Sequence, residues 1–202
     1  MILYGTKQTV ERFKFVMPHS EEALAMYNSQ KGERIHEWGA RLFYMSGKKC
    51  LQVVNFASKL TLFFFDLKVD DIPYLPNYFL NYLLFLYQSD EPMIAAIMRY
   101  LIETDGIVYG KITDRSIIST MNRNHLEFAD EGYAFFEYIE DGILNTHAIN
   151  YRMNWKWLLS IKRPDKKQPD YIYPAEEFRS LIMARYGERH PLPNKPILPI
   201  NV

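Results

Sequence analysis

Between Ala40 and Leu67 the hydrophobic pattern repeats every two residues, and this stretch limits the possible folds more than any other. Residues 41–45, 49–56 and 60–66 read as three strands, because alternate side chains of a strand point to opposite faces. Ser46-Gly47-Lys48 and Ala57-Ser58 supply the turns, so the simplest arrangement is an antiparallel meander. The run Leu62-Phe63-Phe64-Phe65 is continuously apolar, as expected of a central strand covered on both faces. Helices must therefore pack on this sheet.

The flanking segments supply them. Residues 2–6 read as a first strand, followed by a short helix through Val10 and Phe13 that Pro18 ends. Ser20 caps a second helix containing Glu21, Glu22, Leu24 and Met26. Asp70 or Asp71 can cap a helix over 72–88, with Pro73 and Pro76 in its first turns, and Glu91-Pro92 opens another that runs to Glu103. Residues 107–112 form a short β-branched strand before a further helix. Tyr133, Phe136, Ile139, Ile143 and His147 recur at three- and four-residue steps, which predicts a helix interrupted at Gly142. Pro174 starts a last helix that Gly187 stops. The expected architecture is α+β: a mixed, largely antiparallel sheet of about five strands covered by helices, with a helical C-terminal half. Residues 1–187 form a single domain in this reading, and 188–202 a proline-rich tail whose two overlapping P-x-x-P spacings suit a polyproline helix.

Charge and cysteine usage narrow the function classes. Lys plus Arg and Asp plus Glu both number 24, so the net charge of zero argues against a whole-surface footprint for nucleic acid while leaving a local patch open. A single cysteine, Cys50, rules out an intrachain disulfide framework and fits a reducing cytoplasm. Residues 1–7 hold too short an apolar run for a signal peptide. The greasiest helical stretch, 78–87, is about half the length a membrane span needs, so a soluble cytoplasmic protein without a membrane partner is expected.

Chemistry concentrates in Lys111-Ile-Thr-Asp-Arg-Ser-Ile-Ile-Ser-Thr-Met-Asn-Arg-Asn124, where a strand, a helix start and a polar cluster coincide. Thr113 or Asp114 is a natural N-cap, and Ile117, Ile118 and Met121 fall on one helical face. Arg115, Ser119 and Asn122 stand at i, i+4 and i+7 and share another. A helix start beside an arginine attracts anions. Alternatively, Arg115 and Asn122 tie the helix to neighbouring backbone. Lys49, Asn55, Lys111 and Ser116 can join this cluster, and Asn150, Arg152 and Asn154 form a second set of the same kind. Trp155 to Lys167 is aromatic and basic enough to stack bases and meet phosphates, or else its tryptophans are core and its lysines a solvated loop. Five dispersed histidines and a lone cysteine point to no metal site, and no cofactor is implied. No Gly-x-Ser-x-Gly elbow or glycine-rich phosphate loop is present, and Ser116 has no well-placed base, so no catalytic residue is assigned.

Trp38, Lys49-Cys50, Asn55, Leu60, Phe63, the string Thr113-Asp114-Arg115-Ser116 and the pair Met121-Asn122 resemble an uncharacterised bacterial domain-of-unknown-function family with a T-[ND]-R-S…M-N motif. The resemblance runs from about residue 1 to about residue 186 and is most specific at Asp-Arg-Ser…Met-Asn. Ser119 stands where the family often has glycine. The resemblance implies a fold and a location but no reaction, and it suggests defence, counter-defence or toxin–antitoxin roles. The expected function is a non-enzymatic interaction module that binds an unknown protein partner through the Arg115 surface. An RNA- or nucleotide-binding protein or enzyme using the same Arg115/Asn122 cluster is the alternative.

Overall fold

The computed structural model describes residues 1–130, 135–161, 165 and 167–187, with the backbone alone for 127–130. Five strands form one mixed sheet: β1 (Ile2–Gly5), β2 (Glu37–Met45), β3 (Lys48–Asn55), β4 (Thr61–Phe64) and β5 (Val108–Lys111), in the order β4-β3-β2-β1-β5. The meander β2-β3-β4 is antiparallel, and β1 lies parallel to both β2 and β5. The fold is α+β, as its strand and helix patterns require.

Period-two alternation divides the core between the two faces of the sheet. Leu3, Trp38, Ala40, Leu42, Leu51, Val53, Leu62 and Phe64 meet α1 (Lys7–Phe13), α3 (Leu75–Leu86), α4 (Glu91–Thr104) and α7 (Pro174–Tyr186) on one side. On the other side Ile2, Tyr4, Val54 and Val108 meet Met26 and Tyr27 of α2 (Glu21–Gln30) and Ile117 and Met121 of α5 (Arg115–Asp130). Phe43, Cys50 and Phe63 continue that face under Ile149 and Met153 of α6 (Thr146–Trp155).

α5 crosses the sheet at Gly39. A Cβ there would lie 2.5 Å from Ile117 Cγ2 and 3.0 Å from Ile112 Cδ1, so the missing side chain sets how closely the helix approaches. Gly39→Ala is expected to cost about 1–3 kcal/mol by overpacking. The cost should shrink in an Ile117→Ala background, and urea titration of the double-mutant cycle measures the coupling. Additive costs would place the helix elsewhere.

Three expectations are corrected. The apolar run 62–65 gives its first three residues to β4, which is covered on both faces but lies at the sheet edge, because α6 rather than another strand occupies its outer side. The helix expected over 72–88 begins as a 3-10 turn, Val69–Tyr74, and α3 starts only at Leu75, since Pro73 and Pro76 deny the early backbone its N–H donors. Asp71 instead accepts from the Lys68 N–H at 2.7 Å.

The helix expected through Ile139 and Ile143 is a hairpin. β6 (Ile139–Glu140) pairs with β7 (Ile143–Leu144) across Asp141-Gly142, whose φ values of +50° and +77° belong to a tight hairpin turn. Residues 159–161 and 170–172 form a second hairpin, β8 (Leu159–Ile161) and β9 (Asp170–Ile172), spanning the basic stretch. Tyr133, Lys162, Arg163, Lys166, His190 and the proline-rich tail lie outside the described residues.

Candidate functional site

Asp114 organises the start of α5. Its Oδ1 accepts from the Ser116 N–H at 2.8 Å, the Ile117 N–H at 3.2 Å and the Ser116 hydroxyl at 2.6 Å, which makes it the N-cap. Its Oδ2 accepts from Arg34 Nη2 at 3.1 Å. Burial alone would raise this carboxyl, but the bonds from Ser116, Ile117 and Arg34 outweigh it and hold the group at about 2. Lys59 stands on the same side. Burial, and then the neighbouring Arg34 guanidinium, lower its ammonium to about 8, and its Nζ donates to the Phe56 carbonyl at 3.2 Å. Asp114 thus satisfies the helix start from within and anchors it to the segment before β2.

Beyond the cap, α5 presents an exposed stripe. Arg115, Ser119, Asn122 and Leu126 follow one another at helical steps, all in solvent, with Leu126 51% exposed. Arg115 has no ion pair among the described residues. Asn122 Oδ1 accepts from Arg41 Nη1 at 2.7 Å, so a guanidinium rooted in β2 joins the stripe beside Asn122. Burial pushes the Arg41 guanidinium below its ordinary value without discharging it. Beneath α5 on this side, Gln52 opposes Arg41 across the strands and is fully buried, and Asn124 Nδ2 donates to Thr61 Oγ1 at 2.8 Å.

The structure brings Asp114, Arg115, Ser116, Ser119 and Asn122 together and places the other expected residues elsewhere. Asn55 is fully buried and builds the β3–β4 turn. Its Oδ1 accepts from the Ala57 and Ser58 N–H groups at 3.1 and 3.0 Å, and its Nδ2 donates to the Ile35 carbonyl at 2.9 Å.

Asn150 and Asn154 are fully buried on α6, where their side-chain amides pair with the backbone of β4. Arg152 donates to the Tyr138 hydroxyl at 2.8 Å and lies 3.7 Å from Glu137. Lys49 is half-buried on β3, opposite Tyr44. The reason for this separation is topological: α6 sits against the sheet edge at β4, whereas the α5 stripe faces solvent. Trp155 donates from Nε1 to the Leu86 carbonyl at 3.1 Å and packs on the core, so it is no free stacking platform.

Lys111 belongs to a different feature, a cleft of about 360 Å³ that it lines with Gly5, Lys7, Val10, Glu11 and Ile112. Cys50 is buried, and burial raises its thiol above the ordinary value, which disfavours the reactive thiolate. Among the described residues no group of three or more His, Cys, Asp or Glu is placed to hold a metal, and no helix is long and apolar enough to cross a membrane.

Reasoning from the sequence missed Arg34, Arg41, Lys59 and Leu126. Leu126 continues the i, i+4, i+7 stripe by one more step and was available from that spacing. Arg34 and Arg41 reach α5 and its cap from distant segments, Lys59 feels the Asp114 charge without touching it, and none of the three left a local signal.

A family model described as a domain of unknown function, DUF6933, matches residues 2–177, and the chain belongs to that family. No curated protein and no solved structure matches the chain.

Proposed function

We propose that this DUF6933 member is a non-enzymatic interaction module that binds a protein partner through the exposed stripe of α5. The reading rests on one observation. Arg115, Ser119, Asn122 and Leu126 form a continuous solvent-facing row on a helix whose start is locked by Asp114 and whose underside is packed on Gly39. A rigid helix face carrying an exposed leucine and an arginine without an ion pair among the described residues offers a partner a charged anchor and an apolar contact, because the planar guanidinium pairs bidentately and the leucine gains from losing water. Arg41 holds Asn122 by its carbonyl, which leaves the amide N–H groups to face a partner. The zero net charge favours a protein over a nucleic acid. With this reading goes a bacterial, cytoplasmic setting in defence, counter-defence or toxin–antitoxin biology; the free, buried thiol of Cys50 supports the reducing compartment.

Arg115→Ala tests the reading. An exposed side chain without an ion pair among the described residues should change stability by no more than about 0.5 kcal/mol. The same change should abolish capture of a protein partner in a nuclease-treated pull-down from the native host. A partner that survives the substitution refutes the stripe. Recovery of nucleic acid, with affinity falling steeply in salt, would move the assignment to RNA or a nucleotide.

A further inference from the structure

The interior strand β1 is parallel to both of its neighbours, β2 and β5, yet the chain leaves β1 and β5 in opposite directions. After Gly5 it enters α1, whose Phe13 packs on the Leu3–Trp38 face of the sheet. After Lys111 it enters α5, whose Ile117 and Met121 pack on the Ile2–Tyr4 face. Adjacent parallel strands whose connections depart to opposite faces leave a crevice outside their carboxyl ends, and in open α/β sheets ligands bind there. Here that crevice is the cleft of about 360 Å³ lined by Gly5, Lys7, Val10, Glu11, Lys111 and Ile112. Its size lies within the range of small-molecule sites.

The walls define the ligand chemistry. Lys7 starts α1 and Lys111 ends β5, so two lysines line the cleft from different elements. Both are exposed, and neither has an ion pair among the described residues. Val10, Ile112 and the lysine stems make the remainder of the lining apolar, and Glu11 adds one carboxylate. The wall on the β1 side is fixed. A Cβ on Gly5 would meet Val10 Cγ2 at 2.9 Å, so α1 lies directly against the strand end. Thr9 Oγ1 accepts from the Leu42 N–H at 2.8 Å and closes the edge of β2 where β1 has ended.

We infer that this cleft binds a small organic anion, with its oxyanion group held between Lys7 and Lys111 and its apolar body against Val10 and Ile112. The site is separate from the α5 stripe and stands or falls independently of it. Glu11 supplies the internal control, since its charge opposes the ligand.

The test titrates the full chain with inorganic phosphate, phenyl phosphate and benzoate, following the backbone amide shifts of Gly5 and Lys111. Phenyl phosphate or benzoate should saturate these shifts, and the tighter of the two distinguishes a phosphate monoester from a carboxylate. Lys7→Gln and Lys111→Gln should each weaken binding roughly five- to tenfold, the effect of losing one charge-assisted contact. Glu11→Gln should tighten it. All three substitutions are at the cleft surface, so unchanged melting temperatures would show that the fold is retained. The inference is overturned if neither organic anion saturates at millimolar concentration. It is equally overturned if the double lysine variant binds like the wild type, or if inorganic phosphate binds as tightly as both organic probes.

Discussion

Asn150→Ala is expected to remove about 2–5 kcal/mol of stability, although the side chain lost is small and polar. Asn150 and Asn154 stand one turn apart on α6, a rise of about 6 Å, while Thr61 and Phe63 stand two residues apart on β4, about 6.6 Å. The matching spacings let each asparagine serve as a piece of a missing strand. Thr61 N–H donates to Asn154 Oδ1 at 2.8 Å and Asn154 Nδ2 returns a bond to the Thr61 carbonyl at 2.7 Å. Phe63 N–H donates to Asn150 Oδ1 at 2.8 Å and Asn150 Nδ2 donates to the Phe63 carbonyl at 3.2 Å. A primary amide has the same donor and acceptor as a peptide group, so the outer edge of β4 is satisfied without a neighbouring strand. Removing one amide strands a buried N–H and a buried C=O, each costing about 1–3 kcal/mol. Asn150→Asp should be no better, because a carboxylate cannot donate to the Phe63 carbonyl and would be buried as a charge. Urea denaturation gives the energy, and hydrogen exchange at the Phe63 amide locates it. An Asn150→Ala variant with wild-type stability and wild-type protection at Phe63 would mean that the edge does not depend on these bonds.

This edge also shows where sequence reasoning stops. Continuous burial of residues 62–64 was legible from the run 62–65, because an apolar run reports cover on both faces. Position within the sheet was not legible, since the run says nothing about what lies alongside. The asparagine pair at i, i+4 carried the missing information, but buried asparagines and binding asparagines look alike in a sequence. Asp141-Gly142 was a different failure. The dipeptide is a strong turn signal for a hairpin, and the three- and four-residue spacing of Tyr133, Phe136, Ile139, Ile143 and His147 competed with it. The turn prevailed because left-handed φ values at Asp141 and Gly142 cannot continue a helix.

The candidate site divides in the same way. Asp114 as cap and Arg115, Ser119 and Asn122 as one exposed row follow from local spacing, which a helix obeys wherever it packs. Arg41 on Asn122 and Arg34 on Asp114 are contacts between residues about eighty positions apart in the chain, and only the sheet order brings them together. The Lys7–Lys111 cleft likewise depends on β1 and β5 being neighbours, which no local pattern states.

Lowering the pH from 7.5 to 5 is expected to cost about 2 kcal/mol through His36 alone. The ring is almost wholly buried just before β2, with Nε2 at 2.6 Å from the Tyr186 hydroxyl. Around it, Arg185 binds Glu33 and Glu103 at 2.7 and 2.8 Å, and the Tyr100 ring lies alongside, its hydroxyl accepting from Trp38 Nε1 at 3.0 Å. Burial, aided by the Arg185 guanidinium, lowers His36 to about 4, although Glu103 at 3.9 Å pulls the other way. In the unfolded chain the same imidazole titrates near 6.5. Between these values the unfolded state takes up a proton that the folded state refuses. Stability contributed by neutral His36 is therefore complete above pH 6.5 and declines as the pH falls towards 4. The full loss approaches about 3 kcal/mol, and most of it has occurred by pH 5. Other groups, among them His147, which burial also lowers, are common to wild type and variant. The measurement is accordingly the difference in pH slope between wild type and His36→Gln in urea titrations at pH 7.5, 6 and 5. His36→Gln should start less stable and lose less on acidification. Parallel slopes would show that the proton is taken up elsewhere. A steeper fall in the variant would reverse the sign and mean that His36 is charged in the folded protein, with Glu103 rather than burial governing it.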